Sequence, residues 1–184
     1  MAVDGGRLHT HSPGQAAGHR GLHVARRTYL QLGGLVLAGV LIGLAKGSAP
    51  WPAVGQAAAL AGAVLLTLAW HEAGHALAAR ACGLRVHGFA VRGVLGGVTV
   101  RDVAPRPGIE VLVILAGPLA SALLGLAGLG VALLTSDPFA IGRILAPLNL
   151  VTVLGALTIG IRSDGARARA ALRAHRGAGR ERLG

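Results

Sequence analysis

The chain has 184 residues, of which 53% are hydrophobic and only 14% are charged. A small soluble core could not bury that much apolar surface, so the composition indicates a membrane protein. The net charge of +11 comes almost wholly from arginines that flank apolar stretches. This distribution is typical of membrane topology and disfavours a nucleic-acid partner. The single cysteine, Cys82, excludes an intrachain disulfide and a zinc site built from cysteines.

Four apolar segments are predicted to be transmembrane helices. They cover residues 29–45, 53–79, 108–134 and 139–161. Each has roughly 17–27 residues, which is enough to cross a hydrocarbon core about 30 Å thick. Prolines precede the second, third and fourth segments and mark where those helices begin. The predicted fold is therefore an all-α polytopic membrane protein with about four transmembrane helices.

The flanking segments are basic. Residues 1–28, rich in glycine and histidine, are predicted to be a disordered tail, and residues 166–184 a second tail that is partly helical. Between them, residues 29–165 form the predicted membrane core. Arginines cluster in both tails and between the second and third apolar segments. In the other two connections, the only basic residue is Lys46. This bias predicts a multi-pass protein of the cell membrane with both termini in the cytoplasm.

The second apolar segment contains the sequence His71-Glu72-Ala73-Gly74-His75. On a helix, His71 and His75 share one face, where two imidazoles can bind one zinc ion. Glu72 can then act as general base on a water at that metal. Without such a role, these side chains in an apolar span would cost several kcal/mol. Since His71 lies nine residues before Arg80, the metal is predicted roughly 13 Å from the cytoplasmic helix end, inside the bilayer.

A catalytic zinc site needs one more protein ligand than the two histidines supply. Asp164 follows the fourth segment on the predicted cytoplasmic side, but it could equally be the N-cap of a helix over residues 166–175. The residue types alone leave both interpretations open. The candidates for the third ligand are His87, Asp102, Glu110, Asp137 and Asp164.

The chain resembles the site-2 protease family of intramembrane zinc metalloproteases. The resemblance covers about residues 60–170 and rests on four pieces: residues 71–80, the glycine-rich stretch 88–100, residues 116–120 with Gly117-Pro118, and Asn149-Leu150 with Asp164-Gly165 downstream. It implies that Asp164 is the third zinc ligand and that Glu72 is the catalytic base. Asn149 is a candidate for contact with the substrate or the oxyanion.

The C-terminal piece departs from the family pattern in two ways. Thr152 stands where a proline would be expected, and Asp164 comes fifteen residues after Asn149 rather than within about ten. Residues 155–160 are therefore expected to be extended, so that the chain returns to the metal. The role of Asn149 depends on this local geometry.

The loop between the second and third segments predicts a β-hairpin. Residues 86–94 and 98–103 are rich in β-branched side chains and are separated by Gly96-Gly97. A substrate helix must be unwound before its peptide bonds can be attacked, and an edge strand beside the site could hold it extended. A plain connecting hairpin explains the pattern equally well.

The function predicted from these features is intramembrane zinc-dependent proteolysis. The substrate would be a transmembrane segment of another protein within the lipid bilayer, and the oligomeric state is left open. One alternative is a non-proteolytic metal-binding scaffold, which would not need Glu72. The other is a small ion-transport component, which is disfavoured because the sequence lacks an internal repeat.

Overall fold

The computed structural model describes residues 21–93, 96–135, 141–158 and 163–181. These residues are mostly helical, and the short hairpin lies between the second and third helices, so the predicted fold class is confirmed. In chain order the elements are β1 (Gly21–Val24), α1 (Arg26–Ala45), α2 (Pro50–Ala81), β2 (Val86–Gly93), β3 (Gly96–Arg101), α3 (Pro107–Leu134), α4 (Gly142–Thr158) and α5 (Asp164–Glu181).

Three of these helices, α1, α2 and α3, are long and apolar enough to cross a membrane. The fourth apolar helix, α4, has 17 residues. At a rise of 1.5 Å per residue it is about 25 Å long, slightly less than a typical hydrocarbon core. It covers the middle of the predicted segment 139–161, whose two ends lie outside the described residues.

The prediction that residues 155–160 are extended is wrong for residues 155–158, which the structure describes. Residues 155–158 continue α4, and the Thr158 hydroxyl donates to the Leu154 carbonyl within the helix. The physical reason is that a helix satisfies its own backbone hydrogen bonds, which favours it over an extended chain among apolar neighbours. Any return of the chain towards α2 therefore begins after Thr158.

Small residues allow close packing of α1 on α2. A Cβ added at Gly39 would lie 3.0 Å from the Ala57 Cβ, and one added at Gly43 would lie 2.9 Å from the Ala53 Cβ. Association of helices within lipid depends on such close contact, because lipid is as apolar as the side chains themselves. The pair of glycines four residues apart therefore fixes α1 along the first half of α2.

The face of α2 turned towards the protein interior is polar. It carries Thr67, His71, Glu72 and His75, each at most 8% exposed. The opposite faces of the apolar helices expose leucines, as lipid-facing surfaces do. A set of buried polar groups at membrane depth is expensive unless it is paired or functional, so this face marks the site.

The three strands form one sheet in the order β1-β2-β3. The hairpin strands β2 and β3 are antiparallel, with Phe89 opposite Thr99, and β1 pairs with β2 in parallel. The strand β1 corrects the prediction that residues 1–28 are disordered, because residues 21–24 gain backbone hydrogen bonds from β2. Residues 1–20 lie outside the described part. Because β2 is central, the outer edge of β3 has no strand partner among the described residues.

Candidate metal centre

Three side chains from two helices meet beside the polar face of α2. The Nε2 atoms of His71 and His75 are 3.2 Å apart, and Oδ2 of Asp164 lies 3.1 Å from the first and 3.5 Å from the second. All three are buried or nearly so. The structure therefore brings together the three residues that the sequence and the family resemblance indicated, although Asp164 lies 93 residues from His71.

The other ring nitrogens of both histidines have partners on α3. Nδ1 of His75 lies 2.8 Å from the carbonyl oxygen of Val113, an acceptor that requires the proton to be on Nδ1. Nδ1 of His71 lies 3.0 Å from the hydroxyl of Ser121, which is fully buried. Partners of this kind orient a metal-binding imidazole and fix its tautomer. In His75 the arrangement leaves the lone pair of Nε2 directed at His71 and Asp164.

Glycines make room for the two histidines at the contact between α2 and α3. A Cβ added at Gly117 would overlap the imidazole ring of His75 at Nε2. One added at Gly74 would lie 2.5 Å from the Ala116 carbonyl oxygen and 2.7 Å from the Ala120 Cβ. The Gly117-Pro118 element therefore lies at the close contact between α3 and the metal-bearing helix α2.

Asp164 reaches the histidines from the first turn of α5. The N-cap role that was the alternative for Asp164 belongs to Ser163, whose Oγ accepts from the backbone N–H of Ala166 at 3.2 Å. Gly165 packs against the backbone of Leu157, where a Cβ would overlap the carbonyl oxygen. This tight turn leaves the Asp164 carboxylate free to point into the site.

The charge on Asp164 follows from its surroundings. Burial raises the pKa of this carboxyl, but its contacts with His71 and His75 outweigh that effect and hold the pKa below its ordinary range. The group is therefore ionised at neutral pH and brings one negative charge to the histidine pair.

Glu72 lies beside this cluster, on the wall of a cavity of about 480 Å³. The Thr99 hydroxyl donates to Oε2 of Glu72 at 2.7 Å. The cavity is bounded by α2, β3, α3, α4 and the start of α5, and its lining is mainly apolar, with Val64, Val98, Ile114 and Val151 among the side chains. A carboxylate next to three converging donor atoms in such a cavity can accept a proton from a bound water.

The other candidates for the third ligand lie elsewhere. Nε2 of His87 is 2.8 Å from Oδ1 of Asp102, which also accepts from the backbone N–H of Arg85 at 3.2 Å. The hydrogen bond from His87 is the main cause that lowers the pKa of Asp102. Glu110 pairs with Arg101 at 2.7 Å. These two pairs close the base of the hairpin and join it to α3. Asp137 lies outside the described residues.

Asn149 is completely buried between helices. Its Nδ2 donates to the Thr67 hydroxyl at 3.1 Å and to the Leu145 carbonyl at 2.9 Å, while its Oδ1 has no hydrogen-bond partner among the described residues. A Cβ added at Gly125 would lie 3.1 Å from the Asn149 Cβ, so α3 also packs here. This position ties α4 to α2 one turn before His71. The predicted contact of Asn149 with substrate stays a prediction.

The three donor atoms of His71, His75 and Asp164 fit a zinc ion in both chemistry and spacing. Two imidazole nitrogens and one carboxylate oxygen match the protein ligands of catalytic zinc sites, which leave a fourth position open. Bonds of about 2.0–2.1 Å to a tetrahedral ion separate neighbouring ligand atoms by about 3.3 Å, and the observed separations are 3.1, 3.2 and 3.5 Å. The convergence of lone pairs and a negative charge also calls for a cation between them.

The comparisons with known proteins agree with this geometry. The sequence profile of the Peptidase M50B-like family matches residues 49–163, well over half of the chain. The fold is similar to that of the site-2 protease from Methanocaldococcus jannaschii, with a TM-score of 0.63 and 22% sequence identity. That match covers 84% of this chain and 67% of the archaeal chain. A comparison with curated proteins gave no significant match.

Three helices that are long and apolar enough to span a membrane, with a buried cluster of two histidines and an aspartate, are the features of a multi-pass membrane protein with a candidate metal site. The chain belongs to the Peptidase M50B-like family, and so to the site-2 protease type of intramembrane metalloprotease.

Several supporting residues were not predicted from the sequence. Ser121 and Val113 hold the histidines, Ser163 caps α5, and Thr99 contacts Glu72. All but Ser163 act across long sequence separations, and no local pattern singles them out. The cap could have been found, because a serine three residues before a run of alanines and arginines is a common helix start.

Proposed function

We propose that this protein is a zinc-dependent endopeptidase that hydrolyses peptide bonds within transmembrane segments of other membrane proteins. The observation that carries the proposal is the convergence of His71, His75 and Asp164, whose donor atoms all lie within 4.8 Å of one another. The adjacent Glu72 and the cavity provide the base and the space for a peptide. Membership of the family supports the same chemistry.

The residues divide the work of hydrolysis. His71, His75 and Asp164 would hold zinc, which when bound polarises the scissile carbonyl and acidifies a water molecule. Glu72 accepts the proton of the attacking water and then donates it to the leaving amine. Ser121 and the Val113 carbonyl keep the imidazoles in the orientation that this requires. The apolar walls exclude bulk water, which strengthens each of these electrostatic interactions.

The hairpin offers a way to hold an unwound substrate. The strand β3 borders the cavity and has a free outer edge among the described residues. An extended peptide that added to this edge would make main-chain hydrogen bonds beside Glu72. A transmembrane helix must lose its internal hydrogen bonds before hydrolysis, and edge pairing replaces them at membrane depth. This supports the substrate-binding interpretation of the hairpin over that of a plain connection.

The arginines support a fixed orientation in the membrane. Arg80 lies in the last turn of α2, and Arg167, Arg169 and Arg173 lie on exposed positions of α5. The cytoplasmic side of a membrane carries such residues, so both ends of the chain and the hairpin face the cytoplasm of the cell membrane. The metal centre then lies nearer the cytoplasmic surface than the outer one.

The test is cleavage in reconstituted vesicles. Purified protein is mixed with a panel of single-span membrane peptides, and products are identified by mass spectrometry. We expect cleavage by the wild type, none by Glu72→Gln, and normal cleavage by a distant control, Thr135→Val. An amide at position 72 cannot accept the water proton but keeps the shape of the side chain. Equal cleavage by wild type and Glu72→Gln would contradict the assignment of the base. A wild-type protein that binds zinc and cleaves no peptide would favour the metal-binding scaffold.

A further inference from the structure

One face of β3 lies directly over the carboxylate of Glu72. Residues 97, 99 and 101 alternate along the strand, so they share a face, and all three border the same cavity as Glu72. The three positions carry a glycine, a threonine and an arginine. Each of these residues has a different relationship to the site.

Gly97 provides the space that the carboxylate occupies. A Cβ at this position would lie 2.6 Å from Oε1 of Glu72 and 2.8 Å from its carboxyl carbon. Contact that close would force the carboxylate away from its present position. A glycine at residue 97 is therefore needed to make room for the Glu72 side chain rather than to form the hairpin turn.

Thr99 supplies the hydrogen bond. Its hydroxyl lies 2.7 Å from Oε2 of Glu72, the length of a charge-assisted O–H···O⁻ bond, and 3.3 Å from the Glu72 carbonyl oxygen. Both atoms are acceptors, so the hydroxyl must donate. The Glu72 side chain has three rotatable bonds, so its carboxylate needs a partner to stay in one orientation. Among the described residues, the Thr99 hydroxyl is the hydrogen-bond donor to this carboxylate.

Arg101 anchors the strand. Its guanidinium is 9% exposed, pairs with Glu110 in the first turn of α3 at 2.7 Å, and donates to the Asp102 carbonyl at 3.0 Å. This part-buried pair fixes the end of β3 against the helix that also supports His75 through Val113. The strand and the metal centre are therefore held by the same element.

From these contacts we infer that Thr99 is a positioning residue that holds the Glu72 carboxylate in the orientation for proton transfer, with Gly97 leaving room for it. The inference rests on the proposed function. Among the described residues the Thr99 hydroxyl bonds to Glu72 and to no metal ligand. A peptide added to the edge of β3 would pair with the strand backbone rather than with this side chain. Its loss should therefore slow the chemical step without weakening metal or substrate binding.

The experiment measures kcat, KM and zinc content for Thr99→Val, Thr99→Ser and the matched control Thr135→Val. Thr135 is exposed at the end of α3, and among the described residues its hydroxyl bonds only to the Val131 carbonyl in the same helix. We expect Thr99→Val to lower kcat by about tenfold to a hundredfold while KM stays within about twofold. Zinc content should equal that of the wild type, and Thr99→Ser should recover most of the loss.

A second variant, Gly97→Ala, should also lower kcat with zinc retained, because it displaces the same carboxylate without removing a donor. A wild-type kcat for Thr99→Val overturns the inference. So does a loss that Thr99→Ser does not recover, or one that accompanies loss of zinc, because either points to folding alone. Failure of the proposed function looks different: Glu72→Gln would then cleave as fast as the wild type, whatever the Thr99 variants do.

Discussion

The Nδ1 atom of His75 lies 2.8 Å from the carbonyl oxygen of Val113, 38 residues away on α3. Val113 lies inside α3, and the absence of a side chain at Gly117 leaves room for the His75 ring to reach this carbonyl. A helix-interior carbonyl normally pairs with the N–H four residues on, which for Val113 is Gly117, so the carbonyl accepts a second bond through its other lone pair. His75, a proposed metal ligand, thus joins α2 to α3.

The first prediction concerns Gly117. Replacing it with alanine places a methyl group where the His75 ring now lies, so the imidazole must rotate or α3 must move away. We expect Gly117→Ala to reduce zinc affinity by at least tenfold, the size seen when groups that orient metal ligands are lost. Isothermal titration with zinc checks this. Gly130→Ala is the control, since a Cβ at Gly130 meets nothing within 4 Å. Equal affinities in both variants would contradict the packing described for His75.

The second prediction concerns Asp164. Its removal takes away an anionic ligand, so Asp164→Ala should lose zinc and activity. Asp102→Ala is the matched control, because Asp102 pairs with His87 at the hairpin base and does not approach the site. Glu110 is unsuited as a control because its removal takes away the ion-pair partner of Arg101, whose side chain is only 9% exposed. Metal analysis and cleavage assays on both variants decide the matter. Zinc and activity retained in Asp164→Ala but lost in Asp102→Ala would move the third ligand to the hairpin.

The third prediction separates two roles for Asn149. If it serves as a tie between α4 and α2, then Asn149→Ala and Thr67→Ala each remove the same hydrogen bond. Each should destabilise the protein by roughly 0.5–1.5 kcal/mol, and the double variant should lose less than the sum. Unfolding in detergent measures these differences. A kcat that collapses in Asn149→Ala but not in Thr67→Ala, with stability unchanged, would instead support contact with the substrate or oxyanion.

The fourth prediction concerns orientation. The arginine distribution predicts that residues 80–106 and both termini face the cytoplasm, and that Lys46 and residue 137 face the outside. Single cysteines introduced at Lys46 and Arg106, in a Cys82→Ala background, report their sides through a membrane-impermeant thiol reagent. We expect labelling of intact cells at position 46 alone. Labelling at position 106 in intact cells would invert the topology and place the metal centre near the outer surface.

The sequence predicted what depends on local spacing. The four-residue interval from His71 to His75 places both rings on one helical face, and the apolar segments mark the helices to within a few residues. The hairpin followed from Gly96-Gly97 between β-branched runs. These features depend on periods of 3.6 and 2 residues, which do not require knowledge of the tertiary fold.

Features that depend on distant partners were not predictable in the same way. Asp164 could be either a cap or a ligand until the resemblance to a family was used, because nothing local distinguishes the two roles. The bond from Thr99 to Glu72 depends on how β3 lies on α2, which is set by the Arg101–Glu110 pair and by α3. The strand β1 has only four residues and no distinct pattern, so its pairing with β2 is purely tertiary.

The central claim is that His71, His75 and Asp164 together hold one zinc ion. The most direct measurement is the zinc content of purified protein by mass spectrometry, for the wild type, His71→Ala and Glu72→Gln. The account predicts about one zinc ion per chain in the wild type and in Glu72→Gln, and almost none in His71→Ala. Stoichiometric zinc in His71→Ala, or its absence from a wild-type protein that cleaves peptides, would contradict it.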